Sequence, residues 1–142
     1  MKDSFAQFSN GQAITASAAS TNHLNLGVVR SAPGAPAAQK RDIGGGNNQP
    51  IVIEVTTAFA TLTSLTANLE VSATANFASP RIAASSGPVL LADLTVGKKL
   101  PISMVPQGAN EQYMRIAYVV GGSNATAGAV TAGLTFGDHT NG

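Results

Sequence analysis

The sequence has no cysteine and no tryptophan, and only 11% of its residues are charged, against about 25% in an average globular protein. Without cysteine there is no disulfide framework, no thiolate metal site and no sulfur nucleophile. Aromatic residues make up 5%, two Tyr and five Phe, which is poor material for the ring platforms that bind sugars. The 8 Lys and Arg against 7 Asp and Glu leave a net charge of +1. No field of one sign therefore draws the chain to nucleic acid or to an anionic membrane, and neither is expected as a partner. No apolar run approaches the roughly 18 residues that a membrane-spanning helix needs. The stretch Met1 to Phe8 sets an acid beside its lone base and has no apolar core, so no secretory leader is expected and synthesis is expected in the cytoplasm.

What the sequence has is Ala, Ser, Thr, Gly, Asn and Gln, with 44% hydrophobic residues in 142. A chain of this length holds one core and one domain, expected over residues 1–142. Apolar residues rarely recur at helical spacing, whereas several windows alternate with the period of two of a half-buried strand. In Leu65 to Ser72, Leu65, Ala67, Leu69 and Val71 fall on one face and Thr66, Asn68, Glu70 and Ser72 on the other. Ile51 to Thr56 points Ile51, Ile53 and Val55 inward. Tyr113 to Val120 sets Met114, Ile116, Tyr118 and Val120 against Tyr113, Arg115, Ala117 and Val119, and is read as covered on both faces. Val130 to Phe136 aligns Val130, Ala132, Leu134 and Phe136. Weaker runs are Ala13 to Ala18, His23 to Val29, Val89 to Leu94 and Lys99 to Met104, the last an edge strand or strand start because Pro101 removes a ladder donor. Turn residues separate them at Ser79-Pro80, Ser86-Gly87-Pro88, Val105-Pro106-Gln107-Gly108 and Gly121-Gly122-Ser123-Asn124. About eight short strands and no helix predict an all-β sandwich or barrel. The stretch 31–50 has no periodicity, is longer than most connections in a compact domain, and carries Lys40, Arg41 and Asp42.

No residue stands out as a chemical centre. The two histidines, His23 and His139, are far apart in sequence, and a zinc site built on them would need added carboxylates. There is no G-x-S-x-G elbow for a serine triad, and Gly44-Gly45-Gly46 is not followed by the Lys-Ser/Thr of a phosphate loop. Glu54, Glu70, Asp93, Glu111 and Asp138 are the carboxylates from which a glycosidase pair could be drawn. Such a pair requires a spacing of roughly 5 to 9 Å and a sugar platform. Phe59, Phe77 and Phe136 read as core residues. Arg115, set among apolar neighbours, is expected to snorkel or to pair with a carboxylate, and Lys98-Lys99 reads as a solubilising turn. Asn124-Ala125-Thr126 fits the glycosylation pattern without a route to the modifying compartment. No catalytic, cofactor-binding or metal-ligating residue is assigned, and no enzyme activity or cofactor is expected.

A set of segments in order along the chain resembles the jelly-roll capsid cement (decoration) proteins of tailed bacteriophages. They are Phe8-Ser9-Asn10-Gly11-Gln12-Ala13-Ile14-Thr15, Ser20-Thr21-Asn22-His23-Leu24-Asn25-Leu26-Gly27, Arg41-Asp42-Ile43-Gly44, Thr57-Ala58-Phe59, Phe77-Ala78-Ser79-Pro80, Tyr113-Met114-Arg115-Ile116-Ala117-Tyr118 and Thr126-Ala127-Gly128-Ala129-Val130-Thr131-Ala132-Gly133-Leu134. The chain departs from the family where Ser72-Ala73-Thr74-Ala75-Asn76 replaces an acidic run and where residues 31–40 form an insertion. The resemblance implies a single jelly-roll domain on the outer surface of an icosahedral phage head. There it would bind the major capsid protein of the same phage and bridge neighbouring copies as a homo-oligomer, a dimer or a trimer on two-fold or three-fold positions. Residues 1–10 are then expected as an N-terminal arm, either with Phe5 and Phe8 as apolar anchors or with Phe8 capping the jelly-roll core and only Phe5 free. Lys40, Arg41 and Asp42 in the long loop are the other expected contacts with the capsid or a second copy. A glycan- or host-surface-binding module of a virion fibre is the alternative, against which the absence of Trp counts.

Overall fold

A computed structural model describes residues 2–26, 33–34, 50–102, 105–106 and 111–135, with side chains described from Gln7 to Leu134 within those ranges. Nine strands follow in order: β1 (Lys2–Ala13), β2 (Ala18–Ala19), β3 (Leu24–Asn25), β4 (Ile51–Ala60), β5 (Ser64–Ser72), β6 (Arg81–Ser85), β7 (Val89–Leu90), β8 (Tyr113–Gly121) and β9 (Ala127–Thr135). One 3₁₀ turn, Leu91–Asp93, interrupts them.

The strands form two antiparallel sheets. In the first, β1, β9 and β4 lie side by side, and residues 97–100 run along the free edge of β4. The Val55 amide donates to the Lys98 carbonyl at 2.9 Å, and the Leu100 amide to the Ile53 carbonyl at 2.9 Å. In the second sheet β8 and β5 are central, β2 and β3 share the outer edge of β8, and β6 and β7 share the outer edge of β5. With β2 and β3 taken as one strand, β6 and β7 as another and 97–100 as a third, eight strand positions run through the chain. They are ordered 1-8-3-6 in one sheet and 2-7-4-5 in the other. This is the interleaved order of a jelly roll, in which two sheets cover each other through paired Greek keys.

The alternating residues meet between the sheets as the pattern requires. Leu65, Ala67, Leu69 and Val71 of β5 face Ile51, Ile53 and Val55 of β4 across a core that also takes Met114, Ile116 and Tyr118 from β8 and Val130, Ala132 and Leu134 from β9. Leu94, Leu100 and Ile102 close the core beside β4. The weaker apolar runs supply core side chains without long strands: Ile14 and Leu62 are buried in turns, and the Val89 to Leu94 run breaks into β7 and the 3₁₀ turn.

Two elements differ from the expectation. Residues 2–13 are not an arm detached from the sandwich but strand β1, paired along β9 from Lys2 opposite Thr135 to Ala13 opposite Ala129. Its register shifts three times, before Gln7, before Ser9 and before Gln12. Each extra residue turns the following side chains to the other face and erases the period of two, so the neighbours Phe8 and Ser9 are both buried. The second is β6, whose Arg81-Ile82-Ala83-Ala84-Ser85 also has a register shift where it pairs with β5, between Leu69 and Glu70.

Candidate interaction surfaces

The short turns 14–17, 61–63 and 122–126 gather at one end of the sandwich, where the Ala125 amide donates to the Thr15 carbonyl and the Thr126 amide to the Ala60 carbonyl. The opposite end takes the start of β1, the close of β9, and the residues Leu26, Pro50 and Ile102, from which the longer connections leave. The 73–80 turn lies there as well, below the last residue of β5. Lys40, Arg41 and Asp42 lie outside the described residues, as do His139, Asp138 and Phe136.

Phe8 is fully buried within the core, so of the two readings of this ring the core one holds and it is not available as a capsid anchor. The bulged path of β1 turns its ring inward. Phe5 belongs to β1, with its side chain outside the described set. Beside Phe8, Ser9 crosses to the other sheet: its hydroxyl lies 2.8 Å from that of Tyr118 and donates to Gln12 Oε1 at 2.8 Å. Gln12 in turn donates from Nε2 to the Ala19 carbonyl at 3.0 Å and accepts from the Thr21 amide at 2.9 Å. Burial pushes the Tyr118 phenol up to about 12, the Ser9 hydrogen bond pulling weakly the other way.

The outer face of the second sheet is built differently from a simple wet surface. Register places Arg115 of β8 directly opposite Glu70 of β5, and Arg115 Nε donates to Glu70 Oε2 at 2.7 Å. The same guanidinium stacks over the Phe77 ring at 4.2 Å. Phe77 is therefore buried outside the main core, under the charge pair, where the sequence suggested an ordinary core residue. Its φ of +51° reverses the chain after β5 and lays the ring back on the sheet. His23 meets Phe77 and Tyr113 edge-on at 5.8 and 5.7 Å. At the margin, Arg81 grips Glu111 with two bonds, Nε to Oε1 at 2.8 Å and Nη2 to Oε2 at 2.9 Å. That hydrogen bonding raises the Arg81 guanidinium further above its already high range. Of the two readings of Arg115, pairing with a carboxylate is the one observed, and Glu70 is engaged by it.

The rest of this face is low and uncharged. Cross-strand rows run Ala19, Ala117, Asn68, Ser85 and, one step on, Val119, Thr66. Four large apolar side chains are exposed among the described residues: Ile82 at 54%, Leu90 at 57%, Val96 at 67% and Val119 at 44%. Register puts three of them on this one face, with Ile82 opposite Glu70, Leu90 opposite Ser64 and Val119 opposite Thr66. The first sheet turns outward Glu54, Thr131 and Lys99, a more polar set.

Among the described residues no three of His, Asp and Glu come together as metal ligands, and no helix is long and apolar enough to cross a membrane. Fold and surface define an all-β jelly-roll sandwich whose distinctive chemistry is spread over a face. Residues 8–134 match the family model Bbp16, and the chain belongs to the Bbp16 family. A comparison with curated proteins finds no match.

Proposed function

We propose that the protein is a capsid cement protein of a tailed bacteriophage. In this reading it is a homo-oligomer on the outer surface of an icosahedral head, bridging neighbouring major capsid proteins so that the shell resists the pressure of packaged DNA. The observation that carries the reading is the ordered likeness from Phe8 to Leu134 together with a sandwich whose strand order is the jelly roll expected of that family. No cofactor, metal or catalytic step enters it.

The surface suits the task. Small side chains such as Ala19, Ala117 and Ser85 lose little entropy when covered, so a flat interface of modest contacts is favourable without a deep pocket. Several such contacts on one shell must break together, which multiplies retention. Among the described rings, Phe77 lies buried under Arg115 and offers the glycan-binding alternative no open platform.

Sedimentation of the purified protein with undecorated, expanded capsids of its phage tests the proposal. Bound protein saturating at a fixed number of copies per shell is the expected result. Protein left in the supernatant while it binds a polysaccharide would transfer the assignment to the glycan module.

A further inference from the structure

We infer that Asn10-Gly11 is a site of spontaneous deamidation, and that the hydroxyl of Thr131 holds it closed while β1 stays paired with β9. This goes beyond the cement reading and does not rest on it. Among the described residues Asn10 is the one asparagine followed by a glycine. That dipeptide ordinarily marks a two-residue hairpin turn, yet here it lies inside a strand. Ser9 pairs with Ala132 and Gln12 with Val130, so Asn10 and Gly11 together stand opposite Thr131. The extra residue makes a bulge, and Gly11 takes it up with a φ of +58°. β1 is the outermost strand of its sheet, and both residues of the bulge are exposed.

The chemistry needs only water and its hydroxide. The Gly11 amide nitrogen, its proton passed to hydroxide, attacks Cγ of Asn10. The N–Cγ bond forms, the Cγ–Nδ2 bond breaks, and Nδ2 leaves as ammonia with a proton drawn from water. The product is a five-membered succinimide. Water then adds to one of its two carbonyls and opens the ring. Breaking the new N–Cγ bond gives aspartate, and breaking the original peptide bond gives isoaspartate. Nothing is oxidised or reduced, and the net exchange is water taken up for ammonia released. Glycine favours the attack because no Cβ crowds its nitrogen.

The fold sets a lock on that attack. The Gly11 N–H donates to Thr131 Oγ1 at 2.9 Å, so the proton that must leave is engaged and the nucleophilic nitrogen is held toward β9. Ring closure therefore requires Gly11 to let go of Thr131. Thr131 stands on the middle strand of its sheet, paired on the other side with Glu54 of β4, whereas Gly11 stands on an edge. Opening of the contact falls to β1, because edges and termini open locally at the least cost. The neighbours then fix what the modification does. Isoaspartate carries the main chain through Cγ and adds a methylene to the backbone between Ser9 and Gly11. The Ser9 hydroxyl donates to Gln12 Oε1 across this bulge at 2.8 Å and lies 2.8 Å from that of Tyr118. A longer backbone pulls that link out of register, so openings of β1 are recorded as a permanent covalent change.

Peptide mass mapping of the purified protein after incubation at mildly alkaline pH tests both parts. The readout is replacement of –NH2 by –OH, located to Asn10 by fragmentation. The chain unfolded in urea is expected to be modified at Asn10, giving isoaspartate and aspartate together, at a rate well above that of the folded wild type. Thr131→Val removes the acceptor and keeps the shape. It is expected to raise the folded-state rate roughly fivefold, the factor that one ordinary hydrogen bond is worth. Thr131→Ser keeps the hydroxyl and is expected to stay near the wild type. Circular dichroism melts verify that each variant is folded, and Thr131→Ala takes the place of the valine variant if that one is not. An Asn10 that stays intact in the unfolded chain, or that yields aspartate alone, overturns the site. Equal rates in the wild type and the variant without the hydroxyl, or a folded wild type modified as fast as the unfolded chain, overturns the lock.

Discussion

At the scale of single residues, Tyr118 carries the most specific chemistry. Its hydroxyl is buried between the sheets and meets Ser9, which passes the network on to Gln12 and so to the β2 segment. The phenol is held up to about 12 by burial, above its ordinary value near 10. The folded state therefore keeps a proton that the unfolded chain gives up. The contribution is complete below about pH 10 and is lost as pH climbs from there towards 12, an effect of order 2 to 3 kcal/mol. Tyr118→Phe is expected to cost about 1 kcal/mol at neutral pH through the missing hydrogen bond. In urea titrations between pH 9 and 12 it should also show a shallower loss of stability than the wild type. Equal slopes for the two proteins would remove Tyr118 from the alkaline transition. The pair above Phe77 is a second residue-scale case. Arg115→Ala takes away a charge partner and the cover of a ring together, whereas Glu70→Gln takes away only the charge. The arginine variant is expected to lose about 1 kcal/mol more than the glutamine variant in the same titration.

At the scale of elements, the second half of β1 is tied to the sandwich by both apolar and polar contacts. Phe8 is fully buried, Ser9 and Gln12 make the polar link, and the Asn22 amide donates to the Phe8 carbonyl at 3.0 Å. Phe8→Ala is expected to lose about 3 to 5 kcal/mol of stability. Deletion of residues 1–7 removes the pairs at Lys2 and Gln7 but leaves these anchors, and it should keep a cooperative thermal transition. Loss of that transition in the deletion would place the anchor nearer the chain start. The β4 to β9 pairing holds a tighter constraint. Gly128 has a φ of +138°, and a Cβ there would lie 2.2 Å from the Phe59 ring. Gly128→Ala is expected to cost 1 to 3 kcal/mol or more by overpacking. Phe59→Leu in the same chain should recover part of the loss in thermal melts.

These elements also explain what could be read from the sequence. β5, β8, the Ile51 to Val55 part of β4 and the Val130 to Leu134 part of β9 run through the core without a register shift between β4 and β9 or between β5 and β8, so Ile53, Leu69, Ile116 and Val130 announce both strand and face. β1 and β6 are bulged edges, where extra residues scramble the period, and both were invisible as strands. Val119 was legible as facing away from the core, but its company with Ile82 and Leu90 depends on β6 and β7 reaching the same edge of β5. Cross-strand register is a long-range property that no local window contains. The Arg115 to Glu70 pair shows the same limit: a carboxylate partner was one reading of Arg115, and only the pairing of β5 with β8 selects which carboxylate.

At the scale of the whole molecule, one feature recurs: charge is sparse, paired where it meets the large second sheet, and nearly balanced overall. A protein that lives apart from others gains from a net charge that keeps copies separate, whereas one that spends its time packed against a shell does not. In the proposed role these neutral, low-relief contacts strengthen a capsid under load. The most direct test heats DNA-filled heads with and without saturating protein and follows DNA release by dye fluorescence. Decorated heads are expected to release DNA at a higher temperature, with the shift reaching a plateau at the copy number where binding saturates. Release at the same temperature from fully occupied heads would contradict it, leaving a protein that coats the shell without reinforcing it.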